Sequence, residues 1–356
     1  MEKLKNILTE IENVGGKCYF VGGSVRDKLL KAEIYDYDIE IYNIDFKSLI
    51  EVLHKFGELI VNYEFYTVKI KKIQNYEFSL PRLEETTGLL HTDFKVVVLE
   101  EMDFCKASMR RDFTINSILM EYSTSTIIDC YDGKNDLKSK NIRHVSDKFI
   151  EDPLRVLRAV RFSSKLGFTI DESTLQLCIQ MTRSLDTISN ERFSKEFAKF
   201  VVGEYFDIGI NYFIYLLSQY FNIKIFDIQK LQNLKLCCNT EVRCLILFYL
   251  LKGNELEFMI NRCIDKKSVR KKIQYLLNNN LEDINDFYEL TLKFTKKEIL
   301  LLYKYIKNEC IENLYIMYEN LSKKYSAKYF IDLGYEGVEI SVKIKESIIN
   351  GLKEGK

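Results

Sequence analysis

Prolines, histidines and tryptophans are scarce in this 356-residue sequence, which has two prolines, three histidines and no tryptophan. So few prolines give no sign of a proline-rich flexible linker. The three histidines lie far from one another and the nine cysteines form no C-x-x-C pair, which argues against a zinc site. The longest apolar run, 244–251, is too short to cross a bilayer, so no membrane partner is expected.

Charge of neither sign is in excess, since 52 Lys and Arg residues balance 52 Asp and Glu residues. This balance gives no global sign of nucleic-acid binding and does not exclude it. The length and the 47% hydrophobic content exclude a disordered chain and allow at least two packed domains. The odd number of cysteines, together with a charged start in place of an apolar signal core, predicts a cytoplasmic protein in a reducing compartment.

The spacing of apolar residues changes near Asp152. Up to about residue 130, short runs typical of β-strands alternate with helix-like segments, which predicts an α/β or α+β fold. Beyond Asp152 the apolar spacing is helical throughout, so the remainder is predicted to be all-α. The strand-like runs are 18–21, 38–42, 66–70, 77–80, 95–99 and 126–128.

Two adjacent glycines, Gly22 and Gly23, follow the first strand-like run, and Arg26 comes next in a helix-like segment. Glycines let backbone N–H groups approach an anion closely, and the start of a helix adds a favourable partial charge. A triphosphate would fit there, with the Arg26 guanidinium on its oxygens. Taken alone, the pattern is more often that of a plain tight turn.

Two acidic residues, Asp36 and Asp38, alternate with apolar residues at the next strand-like run. Positions i and i+2 of a strand point to the same face, so the two carboxylates project together. Close carboxylates repel each other unless a cation lies between them, and such hard oxygen ligands favour Mg²⁺. A solvated strand face is the simpler explanation, but the glycine turn upstream favours a site shared by Mg²⁺ and phosphates. Glu40 lies on the same face, although the pattern does not require it as a third ligand.

Two arginine-rich segments follow. The first is Arg110-Arg111-Asp112-Phe113-Thr114-Ile115-Asn116. The second begins at Asp152 and Pro153, which suit the cap and the first position of a helix. Its arginines share one side of that helix, opposite the apolar side; they are Arg155, Arg158 and Arg161. A charged helix face is usually just solvated, but three arginines without a lysine favour recognition of phosphates or base edges.

Together, these four segments resemble the family of class II tRNA nucleotidyltransferases and bacterial poly(A) polymerases. The resemblance rests on the ordered motifs Gly-Gly-x-Val-Arg-Asp, Asp-x-Asp, Arg-Arg-Asp-x-x-x-Asn and Glu-Asp-x-x-Arg, and covers about residues 15–200. It implies an α+β fold, with a polymerase-β-like nucleotidyltransferase head (a mixed sheet with helices) followed by an all-α neck, body and tail. The implied head is 1–145, the neck with its base template is 146–205, and the RNA-binding body and tail are 206–356.

The same resemblance implies a role for each matching residue. Asp36 and Asp38 would be the catalytic pair that binds Mg²⁺, and Asp152 with Arg155 would be the protein template that recognises the base. The implied nucleotide-binding residues are Gly23, Arg26, Arg111, Asp152, Arg155, Arg158 and Arg161. The implied reaction is attack of an RNA 3′-hydroxyl on the α-phosphorus with loss of pyrophosphate, assisted by two metal ions.

The chemistry of the bases supports such a template. Cytosine and adenine each present an amino donor, which a carboxylate such as Asp152 accepts, beside a ring nitrogen that accepts from the Arg155 guanidinium. Uracil and guanine present a carbonyl instead, and the unpaired groups that result cost about 1 to 3 kcal/mol each. The expected substrates are therefore CTP and ATP.

We expect a Mg²⁺-dependent CCA-adding enzyme whose partner is tRNA, with no partner protein implied. A poly(A) polymerase, a CC-adding enzyme and an A-adding enzyme remain alternatives, and so does a non-catalytic RNA-binding protein on the same scaffold. A dinucleotide-dependent oxidoreductase is excluded, because the sequence has no G-x-G-x-x-G motif.

Three further segments match the family more loosely. The segment 78–91, with Gly88 and His91, resembles the mobile loop associated with adding A, and it slightly favours full CCA addition. The segment 128–137 resembles a hinge motif in which Asp132 replaces the first glycine. Because aspartate tolerates positive φ less readily than glycine, we expect this hinge to move less freely. Five cations between 266 and 272 would suit an RNA backbone, although a solvated face is the better explanation.

Overall fold

The computed structural model describes residues 2–86, 94–98, 103–221, 223–225, 228–237, 239–279, 281, 283–307, 309 and 311–355. The chain forms two compact units. The first comprises Met1–Ser163 and Gly167–Ser189, and the second comprises Ser164–Leu166 and Asn190–Lys356. The contacts thus divide the chain after Ser189, while the functional divisions predicted after residues 145 and 205 stay predictions.

A seven-stranded mixed sheet is the centre of the first unit. Its strands are β1 (Lys17–Val21), β2 (Tyr37–Tyr42), β3 (Leu59–Asn62), β4 (Thr67–Ile70), β5 (Ile73–Ser79), β8 (Leu119–Glu121) and β9 (Ile127–Ile128). They lie in the order β3-β4-β5-β2-β1-β8-β9, and only the β2–β5 pair is parallel. Two further strands, β6 (Arg82–Thr86) and β7 (Phe94–Val98), form a separate antiparallel pair.

Each of the six strand-like runs in the sequence contains a strand, although the boundaries shift by up to four residues. Leu99, at the end of the run 95–99, lies outside the described residues. Of the strands described up to residue 130, three were not predicted, namely β3, β6 and β8. The last of these has only three residues and is defined by its pairing with β1, so local sequence carries little signal for it.

Among the described residues of the first unit there are seven α-helices, counting α6, which belongs to it in part. They are α1 (Glu2–Asn13), α2 (Gly23–Leu29), α3 (Phe46–His54), α4 (Phe104–Ser108), α5 (Gly133–Ser139), α6 (Leu154–Leu166) and α7 (Glu172–Met181). A short parallel pair, β10 (Asn141–Ile142) and β11 (Thr169–Ile170), lies on either side of α6 in the chain. The helix predicted after Asp152 is therefore α6.

The two faces of the sheet carry different side chains, as the alternation along a strand requires. In β2, Ile39 and Ile41 are buried in one apolar core, which also contains the apolar faces of α1 and α3. Asp38 and Glu40 occupy the alternate positions of the same strand and point to the opposite face. Packing of the isoleucines thus fixes the direction in which the two acids point.

The second unit is mainly helical. Its helices are α8 (Asn190–Val201), α9 (Phe206–Phe221), α10 (Ile228–Asn233), α11 (Thr240–Leu250), α12 (Leu256–Cys263), α13 (Lys267–Asn278), α14 (Ile284–Thr291), α15 (Lys296–Leu302), α16 (Glu312–Lys324), α17 (Ala327–Asp332) and α18 (Val338–Glu354). One short antiparallel pair, β12 (Ile223–Ile225) and β13 (Leu251–Gly253), interrupts them. The prediction of an all-α remainder is wrong only for these two strands and β11. Within the described ranges, no helix is long and apolar enough to cross a membrane.

The hinge-like segment adopts the backbone conformation that its motif requires. Asp132 has φ 62°, in the left-handed region that glycine would favour, and its carboxylate accepts a 2.7 Å hydrogen bond from Asn135 Nδ2. At Gly133 an added Cβ would collide with the carbonyl oxygen of Thr114, so this second glycine has no room for a side chain. Asp132 therefore preserves the turn in place of the motif's first glycine, and Gly133 allows the backbone to approach the Thr114 carbonyl closely.

Cys105 and Cys130 form a disulfide that the sequence did not predict. It joins α4 to the segment before α5, and the two Cα atoms are 5.4 Å apart. A disulfide is uncommon in a reducing compartment, so the reducing location that the sequence analysis expects stays a prediction. The free cysteines in the described part of the chain are buried, and burial raises the pKa of the Cys178 thiol to about 12. Such thiols pack as small apolar groups.

Candidate nucleotide and metal site

The glycine turn after β1 brings two of the predicted site residues together. Gly22 has φ 69°, and α2 begins at Gly23. A Cβ added at Gly22 would lie 3.0 Å from Nη1 of Arg111 and 3.4 Å from Oδ2 of Asp38. The glycine is therefore needed both for its backbone conformation and for space. Three segments therefore converge at this point: the turn, the acidic strand β2 with the adjoining Asp36, and the arginine-rich segment 110–116, which we call the arginine loop.

The carboxylates of Asp36 and Asp38 lie at the start of β2. Asp36 directly precedes β2 and Asp38 is its second residue, and both side chains are exposed. Within the parts of the chain that the structure describes, neither carboxylate forms a hydrogen bond or an ion pair within 4 Å with a side chain. Their lone pairs are thus available to a ligand.

The surroundings of Asp38 disfavour the charged form of its carboxylate. Its side chain has solvent on one side, but protein atoms crowd it on the others, and this desolvation raises the pKa of Asp38. The Arg111 guanidinium opposes the rise, while the carboxylates of Glu77 and Asp36 add to it. Crowded acids of this kind are stabilised by a divalent cation. No group of three or more potential ligands occurs in the described residues, so phosphates would have to complete the coordination of any such ion.

Glu40 is occupied differently from its two acidic neighbours. It is buried, and its Oε1 accepts hydrogen bonds of 2.8 Å from Nη2 of Arg110 and from Nη2 of Arg111. Burial alone would raise the pKa of Glu40, but the charges of Arg111 and Arg110 hold it below its usual range. Glu40 therefore orients the arginine loop, and this pairing argues against the third-ligand role that the sequence left open.

Replacement of Glu40 by Gln tests this structural role. We expect E40Q to lower the free energy of unfolding by about 3 kcal/mol, because it leaves two largely buried guanidinium groups without their carboxylate. The control is E51Q, since Glu51 is exposed and pairs with Lys47 only at 3.9 Å; it should change stability by less than about 0.5 kcal/mol. Urea denaturation of both variants makes the measurement. Equal stability of E40Q and E51Q would show that the buried pairing contributes little.

A continuous hydrogen-bonded chain connects α2 to α6 through the arginine loop. Nη1 of Arg26 donates to Oδ1 of Asn116 at 2.7 Å, and Nδ2 of Asn116 donates to Oδ1 of Asp112 at 3.0 Å. Oδ2 of Asp112 then accepts from Nε of Arg158 at 2.7 Å. We call Arg26, Asn116, Asp112 and Arg158 the polar chain. Although burial favours a neutral acid, Arg158 and Asn116 lower the pKa of Asp112 to about 2, so it remains charged.

The start of α6 agrees with its sequence pattern within one residue. The helix begins at Leu154, and Oδ1 of Asp152 accepts a 3.0 Å hydrogen bond from the Leu154 N–H. Arg155 is buried, and its guanidinium donates to the backbone oxygens of Lys148 and Arg110 at 2.5 and 2.6 Å. An arginine has five N–H groups. A base would therefore have to bind the Arg155 N–H groups that these two hydrogen bonds do not use.

Arg26 is also more buried than the sequence suggested. Its side chain pairs with Asp27 at 2.7 Å and with Asn116, and its Cζ lies 5.1 Å from the centre of the Phe162 ring. Arg158 and Arg161 approach the same ring, at 5.6 and 4.0 Å. The structure thus gathers Arg26, Arg158 and Arg161 around one aromatic side chain.

Four residues of this region had no assigned role in the sequence, or only an open one. They are Glu40, Asp112, Asn116 and Phe162. Asp112 and Asn116 were visible as part of the arginine-rich motif, and Phe162 as the residue after Arg161, but their partners come from distant segments. Gly88 and His91 lie outside the described residues, and 78–84 falls on β5, β6 and the two residues between them.

Two family models match the chain. Residues 18–143 match the poly(A) polymerase head domain, and residues 167–214 match the probable RNA and SrmB-binding site of polymerase A. The first match contains the glycine turn, the acidic strand and the arginine loop. These matches confirm the resemblance that the sequence motifs indicated.

Curated relatives carry consistent names. The chain is 38% identical over 219 residues to the CCA-adding enzyme of Oceanobacillus iheyensis, which covers 60% of this chain and 52% of that protein. It is 37% identical over 211 residues to the CCA-adding enzyme of Enterococcus faecalis, with 55% and 48% covered. The multifunctional CCA protein of Haemophilus ducreyi is 38% identical over 192 residues, with 51% and 44% covered. The matched part is thus about half the length of each of these relatives.

Solved structures share the fold at lower sequence identity. A CCA-adding enzyme in complex with CTP superposes with a TM-score of 0.74 at 21% identity, covering 99% of this chain and 90% of that one. The CCA-adding enzyme of Bacillus stearothermophilus in complex with CTP gives a TM-score of 0.69 at 23% identity, with 98% and 93% covered. The predicted fold class, a nucleotidyltransferase head with a mixed sheet followed by a helical remainder, is confirmed.

Proposed function

We propose that this chain, which carries the head domain and the adjoining RNA-binding segment of the CCA-adding enzyme and poly(A) polymerase family, is a CCA-adding tRNA nucleotidyltransferase. It adds C, C and A to the 3′ end of tRNA from CTP and ATP and releases pyrophosphate. The observation that carries the proposal is the convergence of the Asp38 carboxylate, the Gly22 turn and Arg111 at one point. The names of the relatives support the choice of tRNA and of the two nucleotides.

Proteins of this family generally use a divalent metal ion, and we propose Mg²⁺ here. Asp36 and Asp38 fit such an ion, because both are hard oxygen donors that pair with no side chain in the part of the chain that the structure describes. When bound, Mg²⁺ supplies Lewis-acid stabilisation of the negative charge that develops on the phosphate oxygens. The two aspartates would hold the ion beside the turn, at the edge where the arginine loop lies.

The triphosphate would lie along the glycine turn. Backbone N–H groups near Gly23 can approach its oxygens, and Arg111 lies beside the turn with one guanidinium nitrogen held by Glu40. Arg26 would contribute the N–H groups that Asp27 and Asn116 leave over. The negative charge of the triphosphate would therefore meet guanidinium groups whose positions are already fixed, which lowers the cost of binding.

The base would be selected by Asp152 and Arg155, with Arg158 and Arg161 as additional nucleotide contacts. Asp152 offers only acceptors and Arg155 only donors, which matches the amino group and ring nitrogen that cytosine and adenine share. Uracil and guanine would present a carbonyl to the Asp152 carboxylate and a ring N–H to the Arg155 guanidinium, so neither contact with the base would form. Selection of CTP and ATP thus follows from the order of acceptor and donor at the start of α6.

The second unit would contact the RNA. Lys266, Lys267 and Lys271 are exposed at the start of α13, whereas Lys272 pairs with Glu298 at 2.6 Å. Three exposed cations at the start of one helix suit a phosphate backbone, although a solvated surface remains the better explanation. A tRNA substrate would be found in the cytoplasm, which supports the location that the sequence predicts.

A poly(A) polymerase is the second candidate, because both matching family models take their names from that enzyme. Addition assays separate the two. Purified protein receives a tRNA that ends before its CCA, together with CTP, ATP or both, and one arm omits Mg²⁺. We expect two C residues with CTP alone, a single further A with both nucleotides, and no product without the metal.

A long A tail from ATP alone would reject CCA addition in favour of poly(A) synthesis. Products that stop after CC, or that contain only a terminal A on a CC-ending tRNA, would instead indicate the CC-adding or A-adding alternative. Binding of tRNA without any addition in the presence of Mg²⁺ would favour the non-catalytic RNA-binding protein.

A further inference from the structure

Phe162 lies where three guanidinium groups meet. Its side chain is only 4% exposed, and the centre of its ring is 4.0 to 5.6 Å from the Cζ atoms of Arg161, Arg26 and Arg158. All three distances fall within the range in which a cation is attracted to the electron-rich face of a ring. Arg26 comes from α2, after the glycine turn, while the other two arginines come from α6.

The ring is held in place by another aromatic residue. Phe113, in the arginine loop, contacts it edge to face with ring centres 5.6 Å apart, and Phe113 itself is fully buried. Phe162 belongs to α6, so a ring fixed in this way presents one position from α6 to Arg26 of α2. Its contact with Arg26 therefore connects two helices that would bind opposite ends of the same nucleotide.

The polar chain runs between the same two elements. Arg26 and Arg158 approach the Phe162 ring and are also the two ends of the path through Asn116 and Asp112. The negative charges of Asp27 and Asp112 offset the repulsion expected among arginines collected at one place. A ring and a hydrogen-bonded path thus join the same pair of guanidinium groups by independent means.

We propose that Phe162 is a positioning residue that fixes the distance between the triphosphate turn and the base-selecting helix. This inference rests on the proposed function, because it assigns the turn to phosphate and α6 to the base. A nucleotide whose base and phosphates must both be held will bind tightly only if α2 and α6 keep a constant separation. Loss of the ring then weakens binding of the correct nucleotides and reduces the penalty for incorrect ones.

Three variants test the proposal. F162L keeps a buried apolar side chain but removes the ring, F162Y keeps the ring, and F78L is a matched control. Phe78 is fully buried in the other core of the same unit, and no cation–ring contact is recorded for it in the described residues. We expect F162L to raise KM for CTP and for ATP about tenfold, within the range of cation–ring energies, with a smaller change in kcat.

Selectivity provides a measurement that a purely structural role would not change. F162L should increase incorporation of UTP relative to CTP, whereas F78L should lower the melting temperature without changing this ratio. F162Y should recover most of the wild-type KM. The inference is overturned if F162L and F78L have the same KM and the same UTP to CTP ratio, or if F162Y behaves like F162L.

Two additions keep the inference testable in every case. If F162L does not fold, N116A interrupts the polar chain without changing the ring, and it must then show the same rise in KM and loss of selectivity. If the wild-type protein adds no nucleotide, the proposed function fails, and CTP binding is measured directly by titration calorimetry. About tenfold weaker CTP binding by F162L than by F78L would still support the positioning role, and equal binding would reject it.

Discussion

Replacement of Asp38 by Asn will lower the rate of nucleotide addition by about a thousandfold or more. The change keeps the size of the side chain but removes one of the two charges that would hold the metal ion. Charge stabilisation by a bound metal is worth several kcal/mol in the transition state, and about 4 kcal/mol corresponds to this factor. Addition of labelled CTP to a tRNA lacking CCA, under saturating Mg²⁺, makes the measurement.

Although D38N should lose activity, its folded state should be as stable as that of the wild-type protein or slightly more stable. Desolvation raises the pKa of Asp38, so the folded chain disfavours its charged form. For an acid with a raised pKa, stability is highest below the unfolded pKa and falls as pH rises through that of the folded state. At neutral pH a neutral Asn should therefore keep the melting temperature unchanged or raise it slightly. If D38N lost activity because it misfolded, its melting temperature would instead fall.

Glu33 provides the control for this experiment. It is an exposed acid just before the acidic strand, and among the described residues its carboxylate accepts a hydrogen bond only from the nearby Tyr35 hydroxyl. E33Q removes the same amount of charge from nearly the same stretch of chain and should leave the rate of addition unchanged. If D38N retains more than about a tenth of the wild-type rate, the assignment of a metal to Asp36 and Asp38 is wrong.

The direction of the acidic pair was predictable from sequence because it depends on local periodicity. Alternation with Ile39 and Ile41 places Asp38 opposite the core, and no distant contact is needed to establish that face. The start of α6 was predictable for the same reason, since Asp152 and Pro153 determine it within one turn. Short periodic patterns and caps thus located two parts of the candidate site.

The partners across the site could not be predicted, because they join segments far apart in the chain. Glu40 lies on the predicted face, yet its sequence neighbourhood does not indicate that Arg110 and Arg111 would occupy its oxygens. The Phe162 ring has a position in a helical pattern, but its approach to Arg26 exists only once α2 and α6 are folded. Similarly, no spacing rule pairs Cys105 with Cys130. These contacts depend on tertiary structure.

Asp152 allows base selection to be separated from helix stability. Its carboxylate caps α6 through the Leu154 N–H, and it would also accept the amino group of the base. Asparagine is an equally good cap but places an N–H donor where the carboxylate had only acceptors. D152N should therefore fold with normal stability, whereas D152A should lose about 1 kcal/mol from the missing cap. Urea denaturation of the two variants tests this difference.

Selection of the nucleotide should respond to both variants. Each unpaired buried group costs about 1 to 3 kcal/mol. In D152N the preference for CTP over UTP should therefore decrease by a factor of about 5 to 150. Relative incorporation should shift towards UTP, because the new amide N–H can donate to the carbonyl of uracil. D152A should lose the preference without gaining this contact. Competition between CTP and UTP on one tRNA measures the ratio, and an unchanged ratio in D152N would mean that Asp152 only caps the helix.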